Sequence, residues 1–177
     1  MRPLGLNNYY FAFRLDEPAS DAAIEIQSDM RRRYGADGSA IKRSNLHVSL
    51  FPLWDGKGVP PDLIEITVPR VEAIEGKPFE FSFDMLMSFK SKKGYCTVLA
   101  ATHAPAELYY LHRKFASRFE GLVKAGNLTP HVTLLYTDQF IEKQPVKPVR
   151  WIVREFLLIH SFVGQGRQEI VARWPLR

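Results

Sequence analysis

The sequence predicts an α+β protein built from two similar halves. Alternating apolar runs typical of strands are interspersed with amphipathic helical stretches. A long helix, a short linker and a strand that begins with histidine follow one another twice along the chain. The composition, 46% hydrophobic and 24% charged, is that of a packed globular protein. A length of 177 residues fits one bilobal domain over residues 1–177.

The first helix is predicted over residues 19–34. Asp16 or Ser20 can cap its start, because both residue types accept hydrogen bonds from the free N–H groups of a first turn. Gly35 is the predicted stop, since glycine tolerates the left-handed backbone that ends many helices.

The second helix is predicted over residues 105–124, with Gly126 as its stop. Its apolar side chains recur at spacings of three and four and form one buried stripe: Leu108, Leu111, Phe115, Phe119 and Leu122. A third helix over residues 62–74 is a weaker prediction, because Pro69 would break or kink it.

Apolar or alternating runs bounded by turn residues predict the strands. They lie at residues 9–15, 46–52, 78–89, 95–101, 131–136, 151–163 and 168–174. The stretch GQGRQ at residues 164–168 indicates a hairpin between the last two strands.

The charge balance leaves two interpretations open. A net charge of +5 attracts polyanions such as RNA. The basic residues are dispersed, however, with short runs only at residues 31–33 and at Lys90, Lys92 and Lys93. Solvated helix faces and loops explain these runs as well as nucleic-acid contact does.

The chain has the features of a cytoplasmic protein without membrane contact. No apolar run approaches the ~20 residues of a membrane-spanning helix, and MRPLGLNNYYFAFRLDEP lacks the zones of a secretory signal. Cys96 is the only cysteine, which excludes an intrachain disulfide and a cysteine-rich zinc site. We expect Cys96 to be buried in a strand, and the protein to be a monomer.

Two short stretches carry the chemistry. NLHVSL contains His47 and Ser49, and TPHVTL contains His131 and Thr133. Residues two apart in a strand point to the same face, so each histidine shares a face with its hydroxyl partner while the apolar residues between them point into the core. A single such pair is usually half-buried and structural. Two pairs in the same context, each after a long helix, predict a functional site.

Paired imidazoles and hydroxyls suit phosphodiester hydrolysis. An imidazole with an ordinary pKa near 6.5 can transfer protons at neutral pH. His47 and His131 are therefore the candidate catalytic acid and base, and Ser49 and Thr133 are candidate ligands for phosphate oxygens. Neither a metal nor a cofactor is needed, and no third metal ligand accompanies the pairs.

The remaining histidines do not fit this pattern. His103 and His112 are interpreted as surface or capping residues of the second helix. His160 is interpreted as a hydrogen-bonded residue of the core or of the cleft wall.

The two tetrapeptides HVSL and HVTL resemble the paired signatures of the 2H phosphoesterase superfamily. Within that superfamily, the chain looks most like the RNA 2′,3′-cyclic phosphodiesterase branch, historically called 2′-5′ RNA ligase. The stretch YYFAFRLDEP is similar to the first strand of that family, and FLLIHSFVGQGRQEIVARWPL is similar to its closing hairpin. The resemblance implies two pseudo-symmetric lobes, each an antiparallel sheet backed by helices, around a central cleft. It also implies hydrolysis of 2′,3′-cyclic phosphate ends of RNA, or of small cyclic nucleotides, to 2′-phosphates. His47 would be the proton donor and His131 the acceptor, although the sequence alone leaves this assignment open.

The sequence departs from the family pattern at two places. Ser49 stands where threonine is more usual, and Leu135, Tyr136 and Thr137 include no basic residue where close relatives often have one. The phosphate clamp is therefore unassigned, and Tyr136 either stacks on a base or packs in the core. Two alternatives remain: a non-catalytic RNA- or nucleotide-binding module that uses the same cleft, and a hydrolase of another phosphate ester, such as a 2′-5′ linkage or a cyclic ADP-ribose phosphate.

Overall fold

The structure, a computed structural model, describes residues 6–92 and 94–177. Its elements are β1 (Asn7–Arg14), α1 (Glu17–Tyr34), β2 (Gly38–Ala40), a 3-10 turn (Arg43–Asn45), β3 (His47–Gly56), α2 (Leu63–Glu72), β4 (Phe79–Lys90), β5 (Tyr95–Ala100), α3 (Ala106–Arg118), β6 (His131–Thr137), β7 (Gln144–Val153), β8 (Glu155–Phe162) and β9 (Arg167–Pro175). Two parts of the sequence discussed above lie outside the described residues. They are residues 1–5, which begin the stretch MRPLGLNNYYFAFRLDEP, and Lys93 of the second basic run.

The strands form one antiparallel sheet composed of two halves. The order is β7-β4-β5-β6-β3-β1-β8-β9, with β2 added along β6. The halves β7-β4-β5-β6 and β3-β1-β8-β9 meet where β6 pairs with β3 at Val132 and Val48. The predicted α+β fold with antiparallel strands and accompanying helices is confirmed.

The sheet is strongly bent between its two halves. Arg154 alone separates β7 from β8, although these strands lie at distant positions in the strand order. One residue of backbone spans only about 3.5 Å, so the sheet must curl to bring these strands together. The rings of Phe13 on β1 and Phe79 on β4 are 5.7 Å apart, which shows that the two halves share core contacts.

The core lies on the sheet face that carries Val48 and Val132, and the long helices pack against it. Each helix covers the half of the sheet opposite to the strand that precedes it: α1 follows β1 and contacts β6 and β7, whereas α3 follows β5 and contacts β3. The buried amide of Gln27 on α1 donates hydrogen bonds to the carbonyls of Ile41 and Leu134, at 3.0 and 2.8 Å. These contacts attach α1 to the strand that carries the second histidine.

The first helix matches its predicted signals. Asp16 is the N-cap, and its Oδ1 accepts a hydrogen bond from the backbone N–H of Ala19 at 2.9 Å. Gly35 ends the helix in the left-handed conformation, with φ of 58°. The arginines at residues 31–33 occupy the last turn and are exposed, where positive charge is favourable beside the helix C-terminus.

One helix prediction was wrong in its extent, and another was correct in extent although it was regarded as weak. Helix α3 ends at Arg118, not near residue 124, because Gly121 takes a left-handed φ of 78° before Gly126 is reached. Leu122 consequently leaves the predicted buried stripe and is exposed. Pro69 does not break α2, which continues from Leu63 to Glu72.

The strand predictions missed β2 and merged β7 with β8. The predicted strand over residues 151–163 is two strands, β7 and β8, that belong to different halves of the sheet. The N-terminal part of β7 and all of β2 were not predicted.

Of the helices that the structure describes, none combines the length and the apolar character that crossing a bilayer requires.

Candidate active site

The two histidine motifs lie on the central strands, where the halves of the sheet meet. Val48 pairs with Val132, and both valines point into the core. The residues on either side of them point to the opposite face because side chains alternate along a strand. Extending this register by one residue in each direction brings His47 opposite Thr133, and Ser49 opposite His131. All four residues line one cleft of about 650 Å³.

Both imidazoles are held in the same way. Nδ1 of His47 lies 2.7 Å from the carbonyl oxygen of Asn45, and Nδ1 of His131 lies 2.7 Å from that of Thr129. A carbonyl oxygen can only accept, so Nδ1 carries the proton in each ring. In the neutral ring Nε2 is then the free acceptor. Each histidine can therefore take up or release a proton at Nε2 without losing the hydrogen bond that orients it.

The surroundings of His47 favour its neutral form. The Tyr10 ring lies 5.1 Å away, and Arg14 is the cross-strand partner of His47 on β1. Burial lowers the pKa of His47 to about 4; the hydrogen bond to the Asn45 carbonyl opposes this shift, while the charges of Arg14 and His131 add to it. The His47 ring is consequently neutral at pH 7.

The two hydroxyl residues differ in their support. Cys96 is buried in β5, as predicted, and its thiol donates a hydrogen bond to Oγ1 of Thr133 at 3.6 Å. Burial raises the pKa of the Cys96 thiol, which keeps it protonated and able to donate. Because the Thr133 oxygen accepts this bond, its own hydrogen stays available for a ligand. Ser49 is exposed to the cleft.

The other histidines lie in three different settings. His103 is exposed, as predicted. His112 lines the cleft and its ring is 5.9 Å from that of Phe51, so the interpretation as a surface or capping residue was wrong. His160 is hydrogen-bonded and partly buried, as predicted: Nε2 lies 2.7 Å from Oδ1 of Asn7, and the ring stacks on Tyr9 at 4.2 Å.

Charges in the cleft are few and positive. Among the described residues that line it, Arg167 carries the one permanent charge, and none is a carboxylate. Arg14 lies beside the cleft, partly buried, with its Nη2 donating to Oε1 of Gln168 at 3.0 Å. Within residues 6–92 and 94–177, no three His, Cys, Asp or Glu side chains are grouped as a metal site would require. The cleft is thus suited to an anion.

Sequence reasoning missed the residues that support the motifs. Asn45 holds the His47 ring, Arg14 is its cross-strand partner, and Gln168 binds Arg14. The places of Arg14 and Gln168 depend on a cross-strand register that one sequence does not reveal. Asn45 could have been identified from the sequence, because the backbone carbonyl two residues before each motif histidine can accept a hydrogen bond from Nδ1 of that histidine. Tyr136 lines the cleft and is partly buried.

Comparison with known proteins identifies the family. Residues 16–161 match the 2′-5′ RNA ligase superfamily. LigT of E. coli in its apo form has a similar structure, with 21% identity and a TM-score of 0.76 over 97% of this chain and 98% of LigT. A protein from Thermus thermophilus is similar at 18% identity and a TM-score of 0.75, over 96% and 98% of the two chains. A protein described as a phosphoesterase has 20% identity and a TM-score of 0.75, with the same coverage.

Likeness at these identities establishes the fold alone. No curated protein matches the chain. The match to the superfamily, in contrast, covers most of the sequence and includes both histidine motifs. The chain therefore belongs to the 2′-5′ RNA ligase superfamily.

Proposed function

We propose that this protein is a phosphodiesterase that hydrolyses 2′,3′-cyclic phosphates, at RNA ends or in small nucleotides, to 2′-phosphates. The observation that carries the proposal is the matched pair of imidazoles. Each has its Nδ1 bound to the carbonyl two residues earlier, which leaves Nε2 free for proton transfer. A module that only binds RNA has no need of two such rings on one cleft.

The reaction requires one base and one acid. The base removes a proton from water as the water oxygen attacks phosphorus. The bond from phosphorus to the 3′ oxygen breaks, and the acid protonates that oxygen, so that the phosphate remains on the 2′ oxygen. The two histidines end the cycle with exchanged protonation states and are reset by proton exchange with solvent.

The dimensions of the site suit this reaction. In the register defined by Val48 and Val132, His47 and His131 are diagonal neighbours, whose Cα atoms are ordinarily about 7–8 Å apart. Two rings at that spacing can approach one phosphate from opposite sides. Ser49 and Thr133 complete the site by donating hydrogen bonds to its non-bridging oxygens.

The roles of the two histidines follow from what substrate binding does to charge. The family resemblance assigns donation to His47, yet the pKa of about 4 makes this ring neutral at pH 7. A phosphate anion beside the ring favours the imidazolium. We propose that bound substrate raises the pKa of His47 enough for it to act as the proton donor, with His131 as the acceptor.

Solved structures of LigT give indirect support. E. coli LigT has been crystallised with phosphate, with ATP and with 3′-AMP. These complexes concern LigT alone, and the present chain is only about one-fifth identical to it. A cleft with free imidazoles and no carboxylate among its described lining residues is compatible with ligands of this class.

The test is turnover of nucleoside 2′,3′-cyclic phosphates and of cyclic-ended RNA in EDTA, with products identified by phosphorus NMR. We expect 2′-phosphates, and a loss of about 10³-fold or more in kcat/KM for His47→Ala and for His131→Ala. His103→Ala, which removes an exposed imidazole outside the cleft, is the matched control. Activity that persists in both single variants would refute the mechanism. Tight RNA binding without turnover would support a binding module, and turnover of a 2′-5′ linkage alone would indicate a different ester.

A further inference from the structure

An aromatic ring and a guanidinium that lie outside the two histidine motifs form part of the wall of the cleft. Phe162 and Arg167 are cross-strand partners at the start of the β8–β9 hairpin, and both line the cleft. The Arg167 guanidinium lies over the Phe162 ring, 4.2 Å from its centroid. The His160 ring is 3.9 Å from Phe162. The Phe162 ring therefore contacts both the guanidinium of Arg167 and the imidazole of His160.

The hairpin is attached to the surroundings of His47 on both sides of Arg167. Asn45, whose carbonyl oxygen holds the His47 ring, also donates from its side-chain amide to the carbonyl of Gly166 at 3.1 Å. On the other side of Arg167, Gln168 accepts the hydrogen bond from Arg14. These two bonds hold Arg167 at a defined place relative to His47.

The guanidinium of Arg167 is held on one side and along part of its edge, and it remains accessible to solvent. One face of the guanidinium contacts Phe162, and Nη2 at its edge donates to Glu169. The side chain is still 58% exposed, so the guanidinium remains accessible to a ligand. Phosphate is bound through the N–H edge of arginine, and here Glu169 already uses part of that edge and offsets the charge. An accessible planar guanidinium instead suits stacking against another planar group, and a nucleobase is such a group.

We propose that Phe162 and Arg167 form the platform on which the base of the substrate nucleotide stacks while its cyclic phosphate lies between His47 and His131. This inference rests on the proposed function and narrows it, because the enzyme would then select cyclic phosphates that carry a base. Stacking does not depend on the hydrogen-bonding groups of a base, so the platform should bind purines and pyrimidines alike.

The test compares two substrates that differ only in the base: adenosine 2′,3′-cyclic phosphate and methyl riboside 2′,3′-cyclic phosphate. For Arg167→Ala we expect KM for the adenosine substrate to rise about tenfold with kcat unchanged, which is the size of one base-stacking contact. KM for the base-free substrate should stay the same. Phe162→Leu, which keeps an apolar side chain but removes the flat ring, should act in the same direction.

Two further variants separate stacking from charge. Arg167→Lys keeps the charge but loses the plane, so it should behave like Arg167→Ala. Arg173→Ala is the matched control, because Arg173 lies on the same strand, also pairs with a glutamate, and is not among the cleft-lining residues. Wild-type behaviour of Arg167→Lys, or an equal effect of Arg167→Ala on both substrates, would overturn the platform in favour of a phosphate contact.

Failure of the proposed function would be visible separately. If the wild-type protein turns over neither substrate, calorimetric titration with 3′-AMP and with methyl riboside 3′-phosphate tests the platform directly. The platform predicts that Arg167→Ala weakens binding of 3′-AMP about tenfold and leaves the base-free ligand unaffected. Equal loss for both ligands, or no loss, would contradict it.

Discussion

The unusual protonation of His47 has a measurable consequence for stability. Its pKa is 6.5 in an exposed chain and about 4 in the folded protein. Between these values the unfolded chain binds more protons than the folded one, so acid favours unfolding. Above about pH 6.5, His47 should not affect the pH dependence of the free energy of unfolding. As the pH falls from about 6.5 to about 4, this free energy should decrease, and the loss should be complete below about pH 4.

The magnitude follows from the size of the shift. A change from 6.5 to about 4, at about 1.4 kcal/mol per pH unit, corresponds to at most about 3.5 kcal/mol. Substituting His47→Gln removes the titrating ring but keeps a polar side chain. The variant should therefore lose less stability than the wild-type protein between neutral pH and about pH 4, by up to that amount.

Urea unfolding of both proteins across this range measures the difference, and NMR titration of the imidazole Cε1–H resonances gives the pKa directly. His103→Gln is the control, because His103 is exposed and outside the cleft. Adding sulfate, a dianion throughout this range, should raise the pKa of His47 if an anion occupies the cleft. Parallel pH dependence of wild type and His47→Gln, or a His47 resonance that titrates near 6.5 without ligand, would refute the reasoning.

Two further predictions concern groups around the site. Cys96→Ala removes the thiol that donates to Thr133, so we expect kcat to fall about fivefold, which corresponds to the loss of one neutral hydrogen bond. Cys96→Ser should retain more activity than Cys96→Ala. Equal kcat for the wild type and both variants would contradict a role of Cys96 in orienting Thr133. Gly38→Ala would place a Cβ 1.9 Å from the Tyr136 carbonyl oxygen at a φ of +151°, so we expect urea unfolding to show a loss of about 2 kcal/mol or more. Gly58→Ala, where a Cβ meets open space, is the control, and a similar stability of the two variants would count against this account.

The site motifs were predictable from the sequence because strand alternation is strictly local. His47 and Ser49 must share a face in any regular strand, and so must His131 and Thr133. Whether the two pairs lie opposite each other depends on one pairing between residues that are distant in sequence, Val48 and Val132. No local pattern specifies such a register, so the sequence supplied the pairs while their juxtaposition came from the duplication and the family resemblance.

The missed strands have different physical causes. Strand β2 has three exposed residues and no apolar alternation, and it forms only because β6 offers an edge to pair with. In β7 the prolines at positions 145 and 148 argue against a strand, but β7 is the outermost strand of its half, where missing N–H donors are tolerated. The joint between β7 and β8 was not visible because the chain passes from one half of the sheet to the other with a single intervening residue, Arg154.

The duplicated motifs raise the question of how two similar histidines can perform opposite tasks. An acid and a base must differ in protonation, and enzymes obtain that difference from the surroundings of each group. Here the flanking strands supply it: the cross-strand partner of His47 is Arg14 on β1, whereas that of His131 is Ala100 on β5. A cation beside one ring and a methyl group beside the other make the two halves electrostatically unequal. In the proposed mechanism burial together with Arg14 keeps His47 neutral until a phosphate anion favours its imidazolium form. Because the motifs themselves are equivalent, this difference between the two histidines originates in the neighbouring strands.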